Sequence, residues 1–69
     1  MILSAVKFKN LLTKSIYVCT GKDFAEACKV ANRNVKKENR QFLGTFNQSE
    51  TNTQAWHDFL KNVDIVTNH

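Results

Sequence analysis

The chain of 69 residues has no proline, two isolated glycines, two cysteines and six acidic side chains against ten basic ones. Each scarcity removes a class of function. Gly21 and Gly44 stand alone, so there is no glycine-rich loop to cradle a phosphate. Cys19, Cys28, His57 and His69 have the right atoms for zinc, but none are paired at the roughly two- to four-residue spacing that structural sites use. Neither a metal nor another cofactor is expected. Cys19 or Cys28 with His57 could make a nucleophile–base pair, yet no third residue or local motif orients one. Paired carboxylates are also missing: Asp23 and Glu26 are explained by helix capping, and Asp58 and Asp64 fall on the outer side of a short second helix. The chain does not read as an enzyme. Nor does it contain a run approaching the ~20 apolar residues of a membrane span. Lys7 and Lys9 break up its partly apolar start before a signal-like core develops. The expectation is a cytoplasmic protein with reduced thiols.

What remains is one small α+β domain, since 69 residues cannot support two cores. Its clearest element is the stretch Asp23 to Val35. Asp23 can cap a helix and Glu26 stands where a capping box needs it. At ~100° per residue, Phe24, Ala27, Cys28, Ala31 and Val35 share one apolar stripe, wide enough to lie on a sheet. Phe24 is expected to insert opposite Phe42 or Phe46. Cys28 belongs to this stripe, which makes Cys19 the thiol more open to reagents.

Strands flank the helix. Ile2 to Lys9 alternates, with Val6 and Phe8 on one face and Lys7 and Lys9 on the other. A loop of about five residues without glycine or proline, Asn10 to Lys14, leads to Ser15–Thr20, a β-branched and aromatic run ended by Gly21. There Ile16 and Val18 are expected to face the core. Arg40 to Asn47 alternates again, placing Phe42, Gly44 and Phe46 on one face, and Gly44 suggests close approach of the helix or a bulge. A right-handed crossover sets this strand parallel to the second and beside the first. The expected fold is therefore ββαβ: a three-stranded antiparallel sheet of order 2-1-3, one main helix on one face and a short C-terminal helix. Strands 2 and 3 would be exposed edges, open to a strand from another chain. The core should hold Val6, Phe8, Ile16, Val18, Phe24, Ala27, Cys28, Ala31, Val35, Phe42 and Phe46.

Residues 1–47 form this ββαβ unit, 48–54 a polar loop, and 55–69 a C-terminal helix and tail. Thr51 with Gln54 repeats the capping-box pattern. Trp56, Phe59, Leu60 and Val63 share a face, either as a second core stripe or as an anchor for a partner groove. The tail from Asp64 to His69 frays or adds a few ladder bonds.

Charge is placed unevenly. Of the net +4, the segment Lys22 to Arg40 carries +3. Lys29, Arg33, Lys36, Lys37 and Arg40, with Asn32 and Asn34 interleaved, form the candidate binding set. Such a face suits a polyanionic partner or simply solvates the helix.

The hairpin, the series Asp23, Phe24, Glu26, Ala27, Ala31 and the third strand together resemble small bacteriophage proteins of ββαβ build. Among these are phage inhibitors of host RNA polymerase and some anti-CRISPR proteins. The resemblance covers about residues 2 to 47. It implies a non-enzymatic protein that disables a host protein or nucleoprotein complex through sheet edge, loops or helix face. Direct nucleic-acid binding by the basic face is the alternative.

Overall fold

Alternation of apolar side chains makes β1 (Leu3–Asn10) and β2 (Ile16–Gly21) an antiparallel hairpin, with Phe8 opposite Tyr17 and Val6 opposite Cys19. This computed structural model describes residues 3 to 68, so Ile2, expected to open the first strand, and His69 lie outside it. The Asn10 carboxamide oxygen accepts the Leu12 and Thr13 N–H groups at 2.9 and 3.3 Å and shapes the connecting loop. The helix α1 (Phe24–Asn34) has the expected boundaries. Asp23 caps it, accepting from the Glu26 N–H at 2.8 Å, while Glu26 reaches the Lys22 N–H rather than that of the cap. At Gly21 a Cβ would stand 2.8 Å from the Ala27 nitrogen, so only glycine lets the chain turn under the helix this closely.

The sheet differs from expectation. It has four strands in the order β3-β1-β2-β4 and is mixed, not three-stranded and antiparallel. The inner order is as read: β3 (Arg40–Gln48) pairs antiparallel with β1 and so runs parallel to β2. The addition is β4 (Ile65–Asn68), which pairs parallel to β2 and covers the edge expected to be open. A clasp between Ile16 and Asp64 starts this ladder. The Ile16 N–H donates to the Asp64 carboxylate at 2.9 Å, and the Asp64 N–H donates to the Ile16 carbonyl at 2.7 Å. Asp64 is thus a strand-pairing residue, not the outside of a helix.

Between β3 and β4 lies α2 (Thr53–Phe59), entered through a turn of 3₁₀ helix at Glu50–Asn52. The reciprocal capping box here uses Ser49 and Asn52, not Thr51 and Gln54. Topology explains where α2 must go. The β2–α1–β3 connection crosses the sheet in one direction and β3–α2–β4 crosses back. Two crossovers of the same right hand therefore need helices on opposite faces. On one face Ala27, Val30 and Ala31 cover Val6, Phe8, Tyr17 and Cys19. On the other, Trp56 and Phe59 stack on Phe46 with ring centroids 5.8 and 5.2 Å apart. The Lys7 ammonium sits 4.3 Å from the Phe59 ring centre, so the stripe on α2 packs on its own sheet.

Covering both faces corrects the expected core. Val18 is buried, but on the α2 side; Tyr17 and Cys19, not Ile16 and Val18, face α1. The contact stripe of α1 is rotated about 50° from the sequence stripe, toward Val30. That leaves Cys28 exposed and Phe24 38 % exposed. In β3 the pairing steps from Gly44 opposite Lys7 to Phe42 opposite Phe8, so Leu43 is the extra residue of a bulge. The bulge reverses the alternation and sends Phe42 and Phe46 to opposite faces. Gly44 meets nothing: a Cβ there would have no neighbour within 4 Å.

The rotated stripe reorders the cost of truncations. Val30→Ala should destabilise by about 2 kcal/mol. Phe24→Ala should cost less than the ~3 kcal/mol of a fully buried phenylalanine. Denaturant unfolding checks this; a larger loss at Phe24 than at Val30 would place the sequence stripe, not this one, against the sheet.

Candidate functional site

Lys29 and Arg33 lie one turn apart on α1, and both are exposed. The helix ends at Val35, whose N–H donates to the Ala31 carbonyl at 3.0 Å. The chain then passes through exposed Lys36 and Lys37 in a short turn before β3 begins. Arg40 is used differently. Its Nη1 donates to the Val35 carbonyl at 2.7 Å and its Nη2 to the Asn32 side-chain oxygen at 2.6 Å. The guanidinium carbon stands 4.7 Å from the centre of the Phe8 ring. A cation at a helix C-terminus meets the negative end of the macrodipole. Arg40 is therefore largely committed to tying α1 to β3, while Lys29, Arg33, Lys36 and Lys37 are exposed.

Beside Arg40 opens a groove of about 460 Å³, lined by Phe8, Cys28, Asn32, Lys37, Arg40 and Phe42. Phe42 meets Phe8 edge-on at 5.7 Å but is 59 % exposed. Its neighbour Leu43 is 42 % exposed. Both belong to β3, an outer strand of the sheet. The structure thus joins a cationic helix end to an apolar strand edge. Sequence reading assigned Phe42 to the core because it extended strict alternation through Leu43. The available signal was Leu43 itself, an apolar residue out of phase with the pattern.

The candidate chemistries of cysteine and histidine come apart. Cys19 is buried under α1, Cys28 is exposed on α1, and His57 is exposed on α2 across the sheet. Among the described residues no three of Cys, His, Asp and Glu gather as metal ligands would, and no helix is long and apolar enough to cross a membrane. Burial pushes the Cys19 thiol above its ordinary value of 9.0 and, likewise, the Tyr17 phenol above 10.0. No protein-family model, curated protein or solved structure matches this chain.

Reactivity of the two thiols should therefore be the reverse of the sequence expectation. One group should label in the native protein, and Cys28→Ser should abolish that labelling, with Cys19 reacting only on unfolding. Mass spectrometry of the labelled chain decides it. Stability should also decline on the alkaline side. The unfolded chain releases the Cys19 and Tyr17 protons at their ordinary values while the folded chain retains them. The folded state then binds more protons, and stability falls as pH rises above about 9. Unfolding free energies measured between neutral and alkaline pH check the sign, and Cys19→Ser should flatten the decline.

Proposed function

We propose that the protein is a non-enzymatic binding module whose outer strand β3 takes up an extended, acidic segment of a protein partner. A small phage-type inhibitor would occupy a host protein or nucleoprotein complex in this mode, within the host cytoplasm. One observation carries the reading: Phe42 and Leu43 stand exposed side by side on an outer strand of nine residues. Exposed edges are normally blunted by lysine, proline or shortness. The other outer strand, β4, is four residues long, whereas β3 contains neither lysine nor proline. An added strand would gain ladder hydrogen bonds for affinity and the Phe42 groove for side-chain specificity. The preference for acidic residues follows from Lys37 in that groove and from Lys36, its exposed neighbour in the chain.

A second reading has its own observation. A phenylalanine exposed beside Lys37 and Arg40 is also a platform on which a nucleic-acid base can stack while its phosphate meets the cations. The long free edge favours the protein partner, because base stacking makes no use of it.

The two readings separate in a capture from bacterial lysate, with and without nuclease. A protein partner gives a nuclease-resistant complex that Phe42→Ala and Leu43→Glu both abolish while each variant stays folded. A nucleic-acid partner gives binding that nuclease removes, with log affinity falling against log salt; Arg33→Ala with Lys36→Ala would then reduce the slope by about two. Binding that survives both β3 substitutions would overturn the edge as the contact surface.

A further inference from the structure

The turn between β1 and β2 carries the most exposed large apolar side chain of the described residues, Leu12 at 72 %. Its neighbour Leu11 is 39 % exposed. Neither leucine is needed to make the turn. Six consecutive backbone N–H groups, from Asn10 to Ser15, all donate within the protein. Asn10 donates to the Ser15 carbonyl at 2.8 Å and Lys14 to the Asn10 carbonyl at 2.7 Å. Leu12 and Thr13 donate to the Asn10 side-chain oxygen, and Ser15 to the Thr13 hydroxyl. The Leu11 N–H crosses to the Asn39 carbonyl at 2.9 Å, which fixes the tip beside the short turn before β3. At positions 11 and 12 these bonds use a backbone group that every residue but proline has. The fold therefore explains the turn and not its leucines.

A loop surrounded by water can leave its donors to the solvent, whereas a segment that leaves water must satisfy them internally. This tip has done so while presenting two leucines outward. Cations stand directly behind it. Lys14 has a φ of 67°, a conformation that glycine would adopt without strain, and it keeps a charge two residues from Leu12. Lys9 stands as near on the other side. The Leu11–Asn39 bond brings in exposed Lys36 and Lys37, since the Asn39 N–H donates to the Lys36 carbonyl at 2.9 Å. The acids at this end are Glu38, in the same turn, and Asp64, whose carboxylate is engaged by the Ile16 N–H. Two side chains on a convex tip fall far short of the ~800 Å² per partner that a stable protein interface uses. A lipid bilayer asks less: an apolar tip to enter the acyl boundary and cations to meet acidic headgroups. We propose that the hairpin tip docks on an anionic membrane surface, inserting Leu11 and Leu12 while Lys9, Lys14, Lys36 and Lys37 contact the headgroups. The site does not rest on the β3 reading, although Lys37 borders both surfaces.

The test is flotation of the full chain with two kinds of vesicle at physiological salt, phosphatidylcholine alone and phosphatidylcholine mixed equally with phosphatidylglycerol. The mixed vesicles should bind the protein at about millimolar lipid or below, and the neutral ones should bind it far less. Leu12→Ser should weaken binding about tenfold with no loss of melting temperature, because the side chain it removes is exposed. Lys14→Glu should weaken it about fivefold or more. A nitroxide-bearing lipid in the vesicles should broaden the amide signals of Leu11–Lys14 most strongly. Absence of binding at about 10 mM lipid, or equal binding to both kinds of vesicle, would overturn the proposal. Unaltered binding in Leu12→Ser would mean that a basic protein adsorbs by charge without inserting. Broadening centred on β3 would move the contact away from the tip. Vesicles left unbound, together with capture of a soluble protein or nucleic acid that Leu12→Ser abolishes, would assign the leucines to that partner instead.

Discussion

The fold depends on the seating of Ala27, Val30 and Ala31 against Val6, Phe8, Tyr17 and Cys19. Two alanines let the helix axis come close to the sheet, and Gly21 lets the chain pass beneath the helix start without a side chain in the way. Once α1 lies on that face, β3 can return only beside β1, and the chain must then cross the sheet again to reach β4. The crossover hand leaves α2 no choice but the opposite face. A chain of 69 residues buries a modest fraction of its surface. Two covered faces let β2 bury side chains in both directions, which is why Val18 and Cys19, adjacent in sequence, are both inaccessible.

Local signals were legible and non-local ones were not. Asp23 and Val35 mark the ends of α1 because capping depends on a few neighbouring residues. The order β2-β1-β3 followed from one crossover rule. The fourth strand was read only as a tail that frays or adds a few ladder bonds. Ile65, Val66 and Thr67 are a β-branched run, but their pairing with β2 depends on the Ile16–Asp64 clasp, which spans nearly the whole chain. Alternation in β2 could not say which side faces α1, since both are apolar. That phase is set by the register of the hairpin, which in turn follows from the Asn10 turn. The cationic set was read from position alone, and position cannot show that Arg40 lies folded onto a phenylalanine.

Arg40 illustrates how a charge count misleads. Counted along the sequence it adds to a basic cluster. In the structure its guanidinium caps the end of α1, spans to Asn32 and lies over Phe8. It holds the helix end against the strand and thereby fixes one wall of the Phe42 groove. Neutralising it would perturb that groove even if no partner ever touched it. Lys36 and Lys37 reach solvent and can act on a partner at a distance. Such charges chiefly speed encounter and set salt dependence.

The bulge at Leu43 connects this scaffold to its surface. Without it Phe42 would share a face with Phe46 and pack beneath α2, and β3 would present a polar edge. The extra residue instead turns Phe42 toward the α1 side, where Arg40 and Lys37 stand, and leaves Phe46 to hold α2 through Trp56 and Phe59. A bulge that merely blunted the edge would leave charged or small residues outward; this one leaves two large apolar side chains there. Exposure of that kind carries an aggregation risk for a free protein. The surrounding cations counter it, because two copies approaching through this edge bring like charges together, whereas an acidic strand does not. The same arrangement therefore disfavours self-pairing and favours a partner of opposite charge.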